Sequence, residues 1–242
     1  MYRLRCCLFV IVFCPMLVPV AHADRASDIV GSLSLLGAFD AVSASLTMRI
    51  ERVSGTRERG MELFYRRNGK ASDVLAQVVS PAFLSNMKFL RKDAGNGSIE
   101  LYLKNSSGVR RVVGDRGDEA LFDSDFRTGD FMASHIDKAR VVEESAEIIV
   151  LEIQPGGKAA FSARRLTLRS ADLFLLSFEE LDQAGRLVRR YRVVEFGEAE
   201  GKSYARLSVM ELPDRNQRTW LEVTGINTAP RFGASLFSRM SL

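Results

Sequence analysis

Between Leu121 and Ile136 the chain carries two serines, three carboxylates and a histidine, side chains that could form a nucleophile or hold a metal. A serine hydrolase sets its serine on a sharp turn such as G-x-S-x-G, with a base and an orienting carboxylate converging on it. Asp123-Ser124-Asp125 lacks those glycines, and apart from His22 near the N-terminus His135 is the only histidine. A serine flanked by acids reads as a turn that caps itself. Asp123-x-Asp125 also matches the start of a calcium loop. That loop needs glutamate at its twelfth position and glycine at its sixth, where this chain has Ser134 and Thr128. No catalytic residue, metal site or cofactor is assigned, and the acids read as the wet side of a loop. Phe122, Phe126, Phe131 and Met132 remain, an apolar cluster in a segment without strand periodicity. Such side chains can line a pocket for acyl chains, since burial is favourable by roughly 0.8 kcal/mol per methylene without polar recognition.

The elements around this segment are strands. Leu101 and Leu103 share one face of a strand with Glu100, Tyr102 and Lys104 on the other, and Asn105 to Gly108 turns the chain back. Val109, Arg111 and Val113 then alternate with Arg110 and Val112. The same period of two marks Leu46, Met48 and Ile50, then Met61, Leu63 and Tyr65, with Asn68-Gly69 as a hairpin signal before Val74, Ala76 and Val78. Further strands run through Ile149 to Ile153, Leu166 to Leu168, Phe174 to Phe178, Leu187 to Phe196, Ala205 to Val209 and Thr219 to Val223. Helices are predicted only over Asp28 to Phe39, within Leu121 to Ile136 and over Ala234 to Met240. The fold class is mainly β (α+β): one large curved antiparallel sheet, apolar inside and charged outside, with a few covering helices. The arginines look spread along the strands, and Arg189-Arg190 and Tyr191-Arg192 read as a wet strand face.

The run LYL…GVRRV…G…LFDSDF…GDF resembles the LolA-like outer-membrane lipoprotein-sorting proteins. Members carry a tyrosine-containing strand, an arginine pair and a GSDF…DL-like segment. Tyr102, Arg110, Arg111, Ser124, Asp125, Phe126, Asp130 and Phe131 occupy the matching places, and the resemblance extends from Met61 to the C-terminus. Two residues depart from the pattern: Asp123 stands where glycine is usual and Phe131 where leucine is usual. The resemblance implies a half-barrel with a helical lid and no enzymatic activity. The function it implies is to carry the acyl chains of lipoproteins or lipids towards the outer membrane. The candidate ligand-binding set is the apolar cluster of Phe122, Phe126, Phe131 and Met132 together with Tyr102, Arg110 and Arg111 from the matching positions. Implied partners are the lipoprotein or lipid cargo and an inner-membrane transporter or outer-membrane receptor. The wider group leaves a second reading open, a module that docks on an export or assembly system with its interior filled by its own side chains.

The N-terminus gives the compartment. Arg3 and Arg5 precede an apolar run from Cys7 to Val20, and Ala21-His22-Ala23 is a small-x-small site, so a secretory signal over residues 1–23 is expected to be cleaved after Ala23. Cys6, Cys7 and Cys14 leave with it, and no lipobox cysteine follows. The mature chain is expected to be a cysteine-free periplasmic monomer, one domain over 24–242, folded around a core rather than on disulfides. Loss of Arg3 and Arg5 lowers the net charge from +4 to +2, too little for a nucleic-acid footprint.

Overall fold

The computed structural model describes residues 21–32, 39–96, 98–112, 119–131, 136–156 and 161–242. The signal segment up to residue 20 therefore lies outside the described residues. One α-helix, α1 (Ala21–Ser32), precedes β1 (Ala41–Arg52), β2 (Gly55–Asn68), β3 (Ala71–Ser80), β4 (Lys88–Asp93), β5 (Ile99–Asn105) and β6 (Gly108–Val112). After a connector come β7 (Ile136–Glu144), β8 (Ile148–Pro155), β9 (Ala163–Arg169), β10 (Leu175–Leu181), β11 (Leu187–Ala199), β12 (Lys202–Leu212) and β13 (Gln217–Asn227). The helix starts seven residues earlier than the pattern from Asp28 predicts, and its apolar contact is made by Ala26 and Ile29. Leu33 and Leu36, part of that pattern, lie outside the described residues. The expected C-terminal helix is replaced by turns and a short 3-10 segment, Arg239–Ser241.

The alternating pattern folds into antiparallel hairpins for a local reason at each turn. Asn68 pairs with Ala71 across Gly69, whose φ of 59° suits glycine. Two meanders, β1 to β6 and β7 to β13, join because β13 pairs with β1 from Ser43↔Asn227 to Glu51↔Arg218. All thirteen strands then form one antiparallel sheet in the order β6-β5-β4-β3-β2-β1-β13-β12-β11-β10-β9-β8-β7. The two edges, β6 and β7, are consecutive in the chain.

The apolar phase of most strands faces one side. Leu46, Met48 and Ile50 of β1, Met61 and Tyr65 of β2, Phe89 of β4, Leu101 of β5, Leu151 of β8, Leu168 of β9 and Met210 of β12 belong to one buried inner core. The opposite phase carries a smaller cluster. There Leu75, Leu90 and Tyr102 are covered by Phe237 and Leu242 of the C-terminal segment, with Phe64, Phe232 and Leu236 packed beside them. The outer face is therefore not charged throughout. The sheet is an open half-barrel, since strand twist curls a large sheet with one apolar face.

β7 has no counterpart in the alternation read from the sequence. Its pairing with β8 slips twice, between Ile136 and Lys138 and between Val141 and Glu143, and each bulge breaks the period of two. Next to it, Glu152 of β8 accepts from Arg140 at 2.6 Å and Arg165 at 3.1 Å. The Arg140 hydrogen bond, with smaller help from Arg165, holds the Glu152 carboxyl below its ordinary value against the cost of burial. A depressed carboxylate contributes stability above its unfolded pKa and loses it as pH falls through the folded pKa. Glu152→Gln should therefore unfold more readily at pH 7, by about 1 kcal/mol, and converge with the parent below pH ~4. Urea unfolding at the two pH values checks this.

Candidate functional site

A chain that leaves β6 at Val112 must reach β7 at the far edge, and it does so across the inner face. Two short 3-10 turns, Leu121–Asp123 and Thr128–Phe131, replace the helix predicted for this lid. The lid holds itself together. Leu121 donates its N–H to the Phe126 carbonyl at 2.7 Å. The Ser124 hydroxyl donates to the Leu121 carbonyl at 2.6 Å and accepts the Phe126 N–H at 3.2 Å. Arg127 donates its N–H to the Asp130 carboxylate at 2.8 Å. Leu121, Phe122 and Phe126 are buried in the inner core, and Phe126 meets Tyr191 edge-on at 6.4 Å. Phe122 and Asp123 both take left-handed backbone angles, φ 54° and 55°. That conformation costs a non-glycine residue on the order of 1–2 kcal/mol, somewhat less for aspartate.

The lid's acids point inward, contrary to the expected wet loop, because arginines occupy inward positions of the sheet. Asp123 lies 2.9 Å from Arg57, 3.4 Å from Arg59 and 3.5 Å from Arg52, and Arg52 also donates to its carbonyl at 2.7 Å. Asp125 is buried, accepts the Thr219 hydroxyl at 2.8 Å, and donates its own N–H to the same oxygen at 3.1 Å. Burial pushes its carboxyl above the ordinary value, countered in part by Thr219 and by the charges of Arg52, Arg189 and Arg215.

Asp130 meets a second group of charges. Arg164 of β9, Glu180 of β10 and Arg189 of β11 stand directly opposite one another across three strands. Arg189, 1 % exposed, donates to Glu180 at 3.0 Å, to Asp130 at 2.7 Å and to the Asp125 carbonyl at 3.2 Å. Arg164 pairs with Glu180 and lies 3.6 Å from Asp130, while Arg127 of the lid lies 3.8 Å from Glu180. Asp123 and Asp130, seven residues apart and wound into turns, thus reach arginines on β2 and β9, six strand spacings away from each other. In a flat sheet that gap is about 29 Å, so the sheet curls around the lid. Arg52, Arg57, Arg59, Arg164 and Arg189, which look dispersed in sequence, are gathered at this end of the inner face, and Arg189 and Tyr191 belong to that face rather than to a wet one. Arg190 and Arg192 do face outward, both bound to Glu211 at 3.0 and 3.2 Å.

The residues implied by the resemblance divide between the faces. Phe122 and Phe126 lie under the lid, and Arg110 is on the inner face, ion-paired to Glu119. Tyr102 and Arg111 pair across β5 and β6 on the outer face, where Arg111 meets Glu100 at 3.2 Å, so the structure does not bring them to the lid. Phe131 ends the second turn, its side chain outside the described residues, as are Met132 and His135. A cavity of about 530 Å³ also lies on the outer face, between Ser43, Phe64 and the C-terminal segment at Phe232 and Leu236. Sequence reasoning missed Arg52, Arg57, Arg59, Arg164, Glu180, Arg189 and Thr219. The available signal was phase: each shares a strand face with an inward apolar residue, two positions away for all but Arg57, which lies four from Met61.

An open curled antiparallel sheet with a lid strapped from edge to edge is LolA-like in architecture. The chain belongs to the family whose model, described as that of an uncharacterized protein, matches residues 70–242. Solved structures with this fold include a DUF1329 family protein from Desulfovibrio piger, at 16 % identity and TM-score 0.77, covering 91 % of this chain and 98 % of its own. An outer membrane lipoprotein-sorting protein domain from Vibrio parahaemolyticus matches at 16 % identity and TM-score 0.78, over 90 % and 98 %. A LolA superfamily protein from Nitrosomonas europaea matches at 13 % identity and TM-score 0.66, over 91 % and 99 %. No curated protein matches the chain in sequence.

The raised Asp125 carboxyl gives the lid a pH signature opposite to that of Glu152. Its folded state prefers the proton, so its contribution to stability is full below the unfolded pKa and lost as pH rises through the folded one. Asp125→Asn should gain stability relative to the parent on going from pH 4 to pH 7, read by urea unfolding at both.

Proposed function

We propose that the protein is a periplasmic, non-enzymatic carrier that shelters acyl chains of a lipoprotein or lipid beneath the lid on its way towards the outer membrane. The observation that carries this reading is that the segment between β6 and β7 plugs the inner face with side chains that an acyl chain can replace. Burial of Leu121, Phe122 and Phe126 is worth about 2 kcal/mol each, some 6 kcal/mol together. Roughly eight buried methylenes offset that sum at about 0.8 kcal/mol each. Acyl chains of membrane lipids are longer than this, so exchange of plug for cargo is downhill once the polar contacts of the lid are released. Ser124 serves the turn in this account, its hydroxyl committed to Leu121 and Phe126.

A second reading is a docking module for an export or assembly system. In its favour, Phe89, Leu151, Leu168 and Met210 are fully buried, so the interior is already filled by the protein itself.

Phe126→Ala separates the two readings. Removing the ring weakens the closed lid by about 3 kcal/mol, so a carrier should bind a fluorescent fatty-acyl probe more tightly than the parent does. A docking module should lose stability and still leave the probe unbound. Native mass spectrometry of protein purified from the cell envelope should show bound lipid or acylated peptide. An empty protein that also ignores the probe sinks the carrier reading.

A further inference from the structure

At the end of the inner face the positive charge exceeds what the lid returns to it. Arg52 continues the inward phase of Met48 and Ile50 on β1, while Arg57 and Arg59 stand directly opposite Ile50 and Met48 on β2. Three guanidinium groups from adjoining strands thus converge on one carboxylate, that of Asp123. Their hydrogen-bonding capacity is only partly used: Nε and Nη1 of Arg59 and Nε of Arg52 are buried with no partner. Arg59 is 5 % exposed and reaches Asp123 only at 3.4 Å. The other nearby acid, Asp125, gives its carboxylate to Thr219, and Arg189 and Arg215 add to the positive field on it.

We propose that Arg52, Arg57 and Arg59 form a binding site for a phosphate group carried by the cargo, and that Asp123 stands in for that phosphate while the lid is closed. This rests on the carrier reading and names the headgroup chemistry. A phosphate presents more oxygens than a carboxylate and up to two negative charges, which suits several guanidinium forks at once. The site is open to exchange. Arg57 is 61 % exposed and the Asp123 side chain 45 %, so an anion arrives from solvent and displaces the carboxylate without unfolding the sheet. The backbone favours release as well, because Asp123 holds its carboxylate there from a left-handed conformation that glycine would adopt freely. Apolar surface adjoins the cluster directly through Ile50, Met48 and Phe122. A phosphate site next to the apolar side chains that the lid covers describes a phosphorylated amphiphile. A free phosphate ion has the same headgroup chemistry, and the experiment separates the two.

The test uses the full chain and titration calorimetry with three probes: dioctanoyl phosphatidic acid, dioctanoyl glycerol and inorganic phosphate. Phosphatidic acid should bind about tenfold more tightly than the glycerol, the gain expected of one or two hydrogen bonds between charged groups. Arg57→Gln, at an exposed position that leaves the core intact, should erase that preference while glycerol binding stays. Asp123→Asn, which removes the competing charge, should strengthen phosphatidic acid binding more than glycerol binding, widening the preference. Equal binding of the two lipids, or a preference that survives Arg57→Gln, overturns the phosphate site and leaves the carrier reading standing. Inorganic phosphate binding as tightly as phosphatidic acid overturns the cargo assignment in favour of a free anion. A protein that binds none of the three loses both.

Discussion

The pairing of β13 with β1 is the constraint from which the rest follows. It joins two meanders into one sheet, and it leaves as edges the two strands that the chain visits one after the other. A connector between opposite edges of a curled sheet has two routes, around the outside or across the inside. The outer face is partly taken by the C-terminal segment, whose Phe237 and Leu242 sit on Leu75, Leu90 and Tyr102, with Arg66 over the Phe237 ring at 4.5 Å. The inner face offers apolar surface that would otherwise meet water. The lid is thus a topological requirement before it is a functional device.

What keeps the lid in place is a mixture of two unlike forces. The apolar contribution is large and nonspecific, and any side chain or acyl chain of similar size satisfies it. The polar contribution is smaller in net terms, since desolvating charges offsets most of their attraction. It is demanding in geometry, and removing one partner of a buried pair leaves an uncompensated charge. Arg164, Glu180 and Arg189 face one another across adjacent strands and meet this demand only in part, since two positive charges face one negative; Asp130 supplies the second carboxylate.

Much of the architecture was legible from period and turn chemistry. Leu101 and Leu103 face the inner core and Tyr102 the outer cluster, as alternation requires, and Asn68-Gly69 makes its hairpin. Illegibility has definite causes. β7 is hidden by two bulges, which shift side chains out of phase without any glycine or proline to announce them. The lid has a helical density of apolar residues, yet two consecutive left-handed residues, Phe122 and Asp123, stop a helix before it completes a turn. The charged cluster was the deepest omission. Arg59, Glu180 and Arg189 lie on three different strands and come together only in the folded sheet. Reading charge by its frequency along the chain hides them, while reading it by strand phase exposes each as an inward anomaly. The departure at Asp123, where LolA-like proteins usually have glycine, gains a physical sense from the structure: the backbone there is one glycine prefers, and aspartate accepts it while delivering a carboxylate to three arginines.

A half-barrel never closes, so it keeps two rows of backbone donors and acceptors that another strand could join. Strand addition of this kind is how open sheets polymerise. Both edges are built against it. β6 is five residues long and carries Arg110 and Arg111, so a neighbouring copy would bring like charges together. β7 is kinked by its two bulges, carries Lys138, Arg140, Glu143 and Glu144, and has α1 packed against it with Arg25 paired to Glu144. Neither edge is thus left as a bare, straight row of backbone groups for a second copy to extend.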